Sequence, residues 1–371
     1  MRRTTITDVA RLAGVSPATV SRALRGGTNV TPATAERVRR AADELSFTLS
    51  KNASALATGR TMRVRLLVSG TLKAWFNASV LQGAYDVLTP AGYDVIPSFI
   101  LDRTELDRFF AHLPSDRNMD GLIVASFHFS QTLHDSLHGI PVVGVNSPST
   151  DGFDASVSAS NDTGIREAIG LLRSLGHRSI AFVGATPGSD RFFSTQMRSM
   201  CFPAAARNLG YDEDHQETIV LDPGTTATDN TFLAHAIAGR LLASPRHPTG
   251  LCVETDELAI PLLSELRRQG IRVPEDMSVI GFDDAPVAHA AGLTTIHQDP
   301  EDLGRRAALM LLPLLSSGTP LSSGTLLSSG TQDDPNSRDD QQDNRNDAEE
   351  RHQTLDPTVT LRRTTSKAPR E

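Results

Sequence analysis

The chain has little of what secreted, membrane-embedded or metal-bound proteins need. It holds only two cysteines in 371 residues, Cys201 and Cys252, far apart in sequence. That excludes a disulfide framework and a Cys-based metal motif. No apolar run reaches the ~18 residues of a membrane span. Arg2 and Arg3 carry charge near the N-terminus, but no apolar stretch follows to make a secretory signal, so a cytoplasmic protein is expected. Gly-rich phosphate loops and a nucleophile elbow are absent. His128, His134 and His138 fall close together but in no metal-ligand spacing, so no metal, cofactor or catalytic residue is expected. Net positive charge is also missing, with 36 Lys and Arg against 44 Asp and Glu. Taken alone, that balance argues against a nucleic-acid partner.

The distribution of charge reverses this inference. Residues 1–60 carry ten basic side chains and only four acidic ones, Asp8, Glu36, Asp43 and Glu44. A local basic excess is the electrostatic footprint of phosphate contact, whatever the rest of the chain carries.

Within that region, residues 4–26 read as two short helices around a corner. Thr7 is the expected cap of the first, with Val9, Ala10, Leu12 and Ala13 as its apolar face. Gly14 ends it, because glycine takes the left-handed turn at little cost. Ser16 caps the second helix and Pro17 occupies its first turn, where no backbone donor is needed. Val20, Ala23 and Leu24 face inward, leaving Pro17, Ala18, Thr19, Ser21 and Arg22 outward. A helix with a small-residue tip and an arginine farther along fits a major groove. Thr31 and Pro32 open a third helix, whose Ala35, Val38, Ala41, Ala42 and Leu45 close a small core sealed by Phe47.

The string from Thr5 through Asp8-Val9-Ala10, Ala13-Gly14-Val15-Ser16 and Thr19-Val20-Ser21-Arg22 resembles the headpiece of the lactose/galactose repressor (LacI/GalR) family. The resemblance implies that Arg22, Pro17 and Ala18 read base edges. With Thr5, Ser16, Thr19, Ser21, Asn29 and Thr31 they form the expected DNA surface. It also makes residues 48–61 a hinge whose Leu56 wedges into the minor groove, unstacking bases at a cost of a few kcal/mol. Leu49-Ser50 departs from the Pro-Asn usual before that hinge.

Residues 62–315 alternate strands and helices, from Val64–Val68 to Ser278–Phe282. Such alternation gives parallel sheets with helices on both faces, and the strands are too many for one small sheet. Two lobes are therefore expected, with a ligand cleft beyond the carboxyl ends of the strands. The resemblance continues here through Gly176-His177-Arg178-Ser179-Ile180-Ala181-Phe182 and Val273-Pro274-Glu275-Asp276-Met277-Ser278-Val279-Ile280-Gly281-Phe282-Asp283-Asp284, and implies lobes like those of periplasmic sugar-binding proteins. The expected fold is thus a small all-α helix-turn-helix headpiece on an α/β two-lobed periplasmic-binding-protein-like domain.

Trp75 and Phe76 follow the first strand and can stack on a sugar face. Asp256 and Asp283 follow later strands, and carboxylates with an arginine grip vicinal hydroxyls. The resemblance assigns Arg198 as the effector-binding arginine and adds Phe192. Cys201 replaces a usual glycine and is expected to crowd the pocket wall.

At the C-terminus, Ser-Ser-Gly-Thr recurs every six residues from Ser316, and Gln332–Arg351 is polar and mostly acidic. This composition cannot bury a core, so 316–351 reads as a disordered insertion before a returning terminal strand and tail at 352–371. The expected protein is a homodimeric, sequence-specific repressor of a near-palindromic operator, controlled by a small carbohydrate. The alternatives are a corepressor-dependent or activating regulator with a non-sugar effector, or an enzyme on sugars or nucleotides.

Overall fold

The structure is a computed structural model that describes residues 4–24, 30–47, 60–100, 103–112, 118–185, 194–222, 230–317 and 351–370. Asn29, Leu56, Phe192 and the stretch from 318 to 350 lie outside the described residues. The described residues fall into two compact units. One runs to Met62 and takes in Asn118–Asp120; the other holds the rest.

Among the described residues the first unit holds three helices, α1 (Ile6–Ala13), α2 (Pro17–Leu24) and α3 (Pro32–Glu44). Thr5, not Thr7, caps α1: its backbone and hydroxyl both donate to the Asp8 carboxylate, at 3.0 and 2.7 Å. Gly14 adopts φ 65°, and Val15 N–H reaches back to the Ala10 carbonyl at 3.0 Å, closing the corner. Ser16 and Thr31 cap their helices as expected, accepting from Thr19 and Thr34 N–H. The core is built from small residues: Val9, Ala10, Ala13, Val20, Ala23, Val38, Ala41 and Ala42, with Phe47 packed against them. Leu12 is 47% exposed, so it is not part of that core. Arg37 donates to the Ala13 carbonyl at 2.9 Å and ties α3 to the end of α1. Asp120 accepts from Thr61 and Met62 N–H at 2.7 and 2.9 Å, fixing the chain just before the first strand.

The second unit has two lobes. In chain order its elements are β1 (Arg63–Ser69), α4 (Trp75–Leu88), β2 (Asp94–Ile100), α5 (Arg103–His112), β3 (Gly121–Ala125), α6 (Gln131–Ser136), β4 (Val142–Val145), β5 (Ala155–Ala159), α7 (Asn161–Ser174), β6 (Ile180–Ala185), α8 (Ser194–Asn208) and β7 (Gln216–Leu221). There follow α9 (Asn230–Leu242), β8 (Gly250–Val253), α10 (Asp256–Arg268), β9 (Ser278–Asp283), α11 (Pro286–Ala291), β10 (Thr294–His297), α12 (Pro300–Ser317), β11 (His352–Leu355) and β12 (Thr358–Thr360).

One sheet has the order β11-β5-β4-β3-β1-β2 and the other β12-β10-β9-β8-β6-β7. Every described pairing is parallel except β10–β12, which is antiparallel. The chain crosses between lobes after β5, after β10, and between β11 and β12, so the return segment supplies one strand to each sheet rather than a single one. Strands with continuous apolar burial, such as Leu122–Ala125 and Val279–Phe282, form the floor of each lobe. Helices α4 and α12 pack backbone to backbone. A Cβ on Gly83 would lie 1.9 Å from the Glu301 carbonyl oxygen, and one on Gly304 2.2 Å from that of Val80. The tail after β12 runs along the second lobe, where Thr364 bridges Val279 and Thr294.

Candidate functional site

The first candidate surface is the outer side of α2. Ser16, Pro17, Ala18 and Arg22 are exposed there, with Thr19 and Ser21 half-buried beside them. Pro17 and Ala18 are short, so the first turn of α2, with its partial positive charge, is open to approach. Arg22 Nε donates to the Ala18 carbonyl at 3.3 Å, which lays the guanidinium along the same face. Thr5 and Thr31 are exposed at the starts of α1 and α3. The expected residues therefore share one unit, and those described lie at its surface.

The second is a cavity of about 210 Å³ between the lobes. From the first lobe it is lined by Ser69, Trp75, Phe76, Asn77, Ser126 and Asn146; from the second by Ser194, Thr195, Arg198, Thr255, Asp283 and Gln298, among others. The lining comes from strand ends and helix starts, where open α/β sheets place ligands. Asn77 donates to the Ser69 and Thr71 carbonyls at 2.8 and 2.9 Å, fixing the loop that presents Trp75 and Phe76 at the start of α4. Thr255 caps α10.

Arg198 is the centre of the polar wall. It sits in the first turns of α8 and is only 1% exposed. Its Nε donates to Asn161 Oδ1 at 2.9 Å, and its Nη1 to the Glu254 carbonyl and to Asp283 Oδ1, the last at 3.3 Å. Its guanidinium stacks 3.6 Å from the centre of the Phe282 ring. This is a buried cation held in one orientation by partners on three sides. Gln298 donates to the same Asp283 oxygen at 2.6 Å and accepts from Asn146 across the lobes at 3.4 Å. Ser194 N–H also crosses the lobes to the Ser126 carbonyl at 3.0 Å. A polar chain thus runs from Asn146 through Gln298 and Asp283 to Arg198. Burial raises the Asp283 pKa above the usual carboxylate range, while Arg198 and Gln298 pull it down.

Asp256 is a correction to the sequence expectation. It does not line the cavity. It is fully buried behind it, accepting from Thr295 Oγ1 at 2.7 Å and Ala285 N–H at 2.9 Å. A Cβ at Gly281 would lie 2.1 Å from its Oδ1, so the glycine makes room for this carboxylate. Burial, then Asp283 nearby, raises the Asp256 pKa. Its role is to brace the strand end that carries Asp283. Glu257, the next residue, lines the cavity instead. Cys201 is not among the lining residues. Asp284 points away to Arg362 and His297, at 2.6 and 3.0 Å.

Sequence reasoning missed Asn146 and Gln298 as site residues. Each follows a strand, β4 and β10, so the strand-end rule that found Asp283 applies to them too. A larger, shallower hollow of about 660 Å³ lies on the outside of α7, but it holds no buried charge and belongs to one lobe.

Residues 5–50 match the family of bacterial regulatory proteins of the lacI type, and residues 169–330 match a periplasmic binding protein-like domain. The chain is 31% identical over 316 residues to the HTH-type transcriptional repressor PurR of Vibrio cholerae, covering 83% of this chain and 90% of that one. It belongs to the LacI family. This regulator superposes on the lac repressor dimer bound to operator and the anti-inducer ONPF with a TM-score of 0.77 at 22% identity, over 98% of this chain and 100% of that one. It also superposes on the transcriptional regulator CelR in its cellobiose complex with a TM-score of 0.62 at 26% identity, over 98% and 100% of the two chains. The LacI-family protein is thus a DNA-binding transcriptional repressor and not an enzyme. No helix among its described residues is long and apolar enough to cross a membrane.

Proposed function

We propose that this repressor binds a near-palindromic operator as a homodimer in the cytoplasm and changes its operator affinity when a small carbohydrate occupies the cleft between its lobes. The observation that carries the effector reading is the buried Arg198–Asp283 pair set opposite Trp75 and Phe76 in one cavity. Arginine and carboxylate together grip vicinal hydroxyls, and the aromatic rings cover an apolar sugar face. The cavity is smaller than the ~300 Å³ at the low end of drug-sized sites, which suits a small sugar. The relative CelR is a cellobiose complex, which agrees with a carbohydrate class.

Arg22, Pro17 and Ala18 are assigned to base edges, and Thr5, Ser16, Thr19, Ser21, Asn29 and Thr31 to the remaining DNA contacts. Leu56 in the 48–61 hinge is assigned to the minor groove. Phe192 is assigned to the effector wall. The organisation is a headpiece at 1–47, the hinge, effector lobes at 62–315, an insertion at 316–351 and a returning segment at 352–371. Effector and DNA then act on each other's affinity by the same factor.

The test is fluorescence anisotropy of labelled DNA from upstream of the regulator's own gene, titrated with and without a panel of sugars. One sugar should weaken binding to that DNA relative to a scrambled duplex. A sugar that strengthens binding instead makes it a corepressor. If no sugar changes binding while a nucleobase or other metabolite does, the carbohydrate assignment is wrong.

A further inference from the structure

We propose that the cleft between the lobes selects its ligand by charge, admitting uncharged or amine-bearing molecules and rejecting their phosphorylated or acidic counterparts. This rests on the reading of that cleft as the effector site. The charges on its wall are unequal. Arg198 is the one cation among the described lining residues, and Asp283 and Glu257 line the same cavity as anions. Two more carboxylates are buried beside them. Glu254 and Asp256 are 6% and 0% exposed, and they flank Thr255 of the lining. Lys73 is exposed and is not part of the lining. Residues 186–193, outside the described set, carry one acid and one base, Asp190 and Arg191, and add no net charge.

The buried acids report the balance. Burial raises the Asp283 pKa and Glu257 adds to the rise, while Arg198 and Gln298 oppose it without cancelling it. Burial, then Asp283, raises Asp256. Burial raises Glu254 as well, with Asp283 adding. All three are pushed towards their uncharged forms, whereas a wall that attracted anions would hold its carboxylates below the usual range. The starts of α4, α8 and α10 also face the cavity, each worth about half a positive charge. Asp256 and Glu257 in the first turn of α10 already meet one of them. The raised acids show that the other two do not reverse the balance.

An anionic ligand would bring its charge into this setting without a new cation to meet it. The charge of Arg198 is already matched by Asp283 at 3.3 Å, and its face by the Phe282 ring. A buried charge without a partner is the costly case. Hydroxyls avoid that cost, because they bond Asp283, Asn146 and Gln298 as dipoles. An ammonium avoids it too. Glu257 is exposed, and its side chain has no ion-pair partner among the described residues. Trp75 and Phe76 line the same cavity, and aromatic faces attract cations.

The test titrates the full chain calorimetrically with ligands matched except for one charged group. The set is glucose, 6-amino-6-deoxyglucose, glucuronate and glucose 6-phosphate, all differing at one carbon, then ribose with ribose 5-phosphate and adenosine with AMP. Whichever uncharged member binds, its phosphorylated or acidic counterpart should bind at least about tenfold more weakly, and its amine counterpart should lose less than the acidic one. A phosphorylated or acidic member that binds as tightly as its neutral counterpart overturns the proposal. So does an amine that loses more than the acid. Binding of adenosine without any sugar would count against the carbohydrate reading, and AMP would still decide this one. A second measurement needs no ligand. Ser69 lines the cavity, so Ser69→Cys in a Cys201→Ser background places a thiol there. Its reaction rates with a cationic and an anionic methanethiosulfonate are compared with those of mercaptoethanol. The cavity thiol should favour the cationic reagent by a further factor of roughly ten. A preference equal to or below that of mercaptoethanol overturns the proposal, even where no member of the set binds.

Discussion

At the scale of the residue, the effector wall depends on buried charge. Replacing Arg198 by an uncharged apolar side chain takes the donor from the Glu254 carbonyl and leaves the buried Asp283 with Gln298 but without its cation. Arg198→Met should therefore destabilise the protein by about 3 kcal/mol and abolish the sugar response. Asp283→Asn should cost less, because burial already favours the neutral form of that group. Thermal melts of both variants, with and without the responding sugar, check the order. Asp256 behaves differently, because it braces rather than binds. Its pKa is raised on folding, so the native state holds a proton at pH values where the unfolded chain has lost it. The sign follows from linkage: stability falls as pH rises from the ordinary carboxylate range towards the raised native value, then levels off. Asp256→Asn removes that slope. The melting temperature of the variant relative to the parent should climb between about pH 4 and 8. A flat difference would mean that Asp256 stays ionised in the fold.

Individual elements stand on contacts that a single methyl group tests. Gly83→Ala drives a Cβ into the backbone of α12, so one helix must move; a loss of about 1–3 kcal/mol in denaturant unfolding is expected. In the headpiece, Ser16→Ala removes the cap of α2 and should cost about 1 kcal/mol. Arg22→Ala leaves the core intact, since its side chain is exposed, and should lower affinity for the selected operator by about 1–3 kcal/mol while relaxing base preference at one position. Circular dichroism of the same variant separates lost folding from lost contact. The cap of α1 was misplaced by two residues from sequence because Thr5 and Thr7 are equally good cap types. The Asp8 carboxylate, which accepts from both the backbone and the hydroxyl of Thr5, makes Thr5 the cap. The spacing of Leu12 on α1 suits the core, yet Val9, Ala10 and Ala13 occupy the inner face of that helix and Leu12 stays 47% exposed.

At the scale of the whole molecule, the polar bonds that join the two lobes among the described residues include Asn146 to Gln298 and Ser194 to Ser126. Gln298→Ala cuts the polar chain from Asn146 to Asp283 without touching the headpiece. The sugar's effect on DNA affinity and the DNA's effect on sugar affinity should shrink together and by the same factor, because coupling between two sites is reciprocal. Isothermal titration of sugar with and without operator measures the second, and anisotropy of labelled operator with and without sugar measures the first. A coupling factor equal to the parent's would show that Gln298 plays no part in it.

The headpiece was legible in the sequence because its signals are local. A cap, a glycine corner and a proline at a first turn lie within a few residues of one another, and the basic excess of 1–60 needs no fold to be counted. The alternating lobes were legible from strand and helix periodicity, and strand ends and the family resemblance singled out Arg198, Asp283, Trp75 and Phe76, which line one cavity. The tertiary structure alone decided what distant residues do together. Asp256 and Asp283 look alike in sequence, each beyond a strand, and only packing sends one behind Gly281 and the other into the cleft. Asn146 and Gln298 are 152 positions apart and become partners only where the chain crosses between lobes. The terminal segment likewise could not be split into two strands from its own pattern, because each is short and takes its direction from the sheet it joins. Local chemistry fixes elements, whereas burial and long-range hydrogen bonding choose which side chains those elements bring face to face.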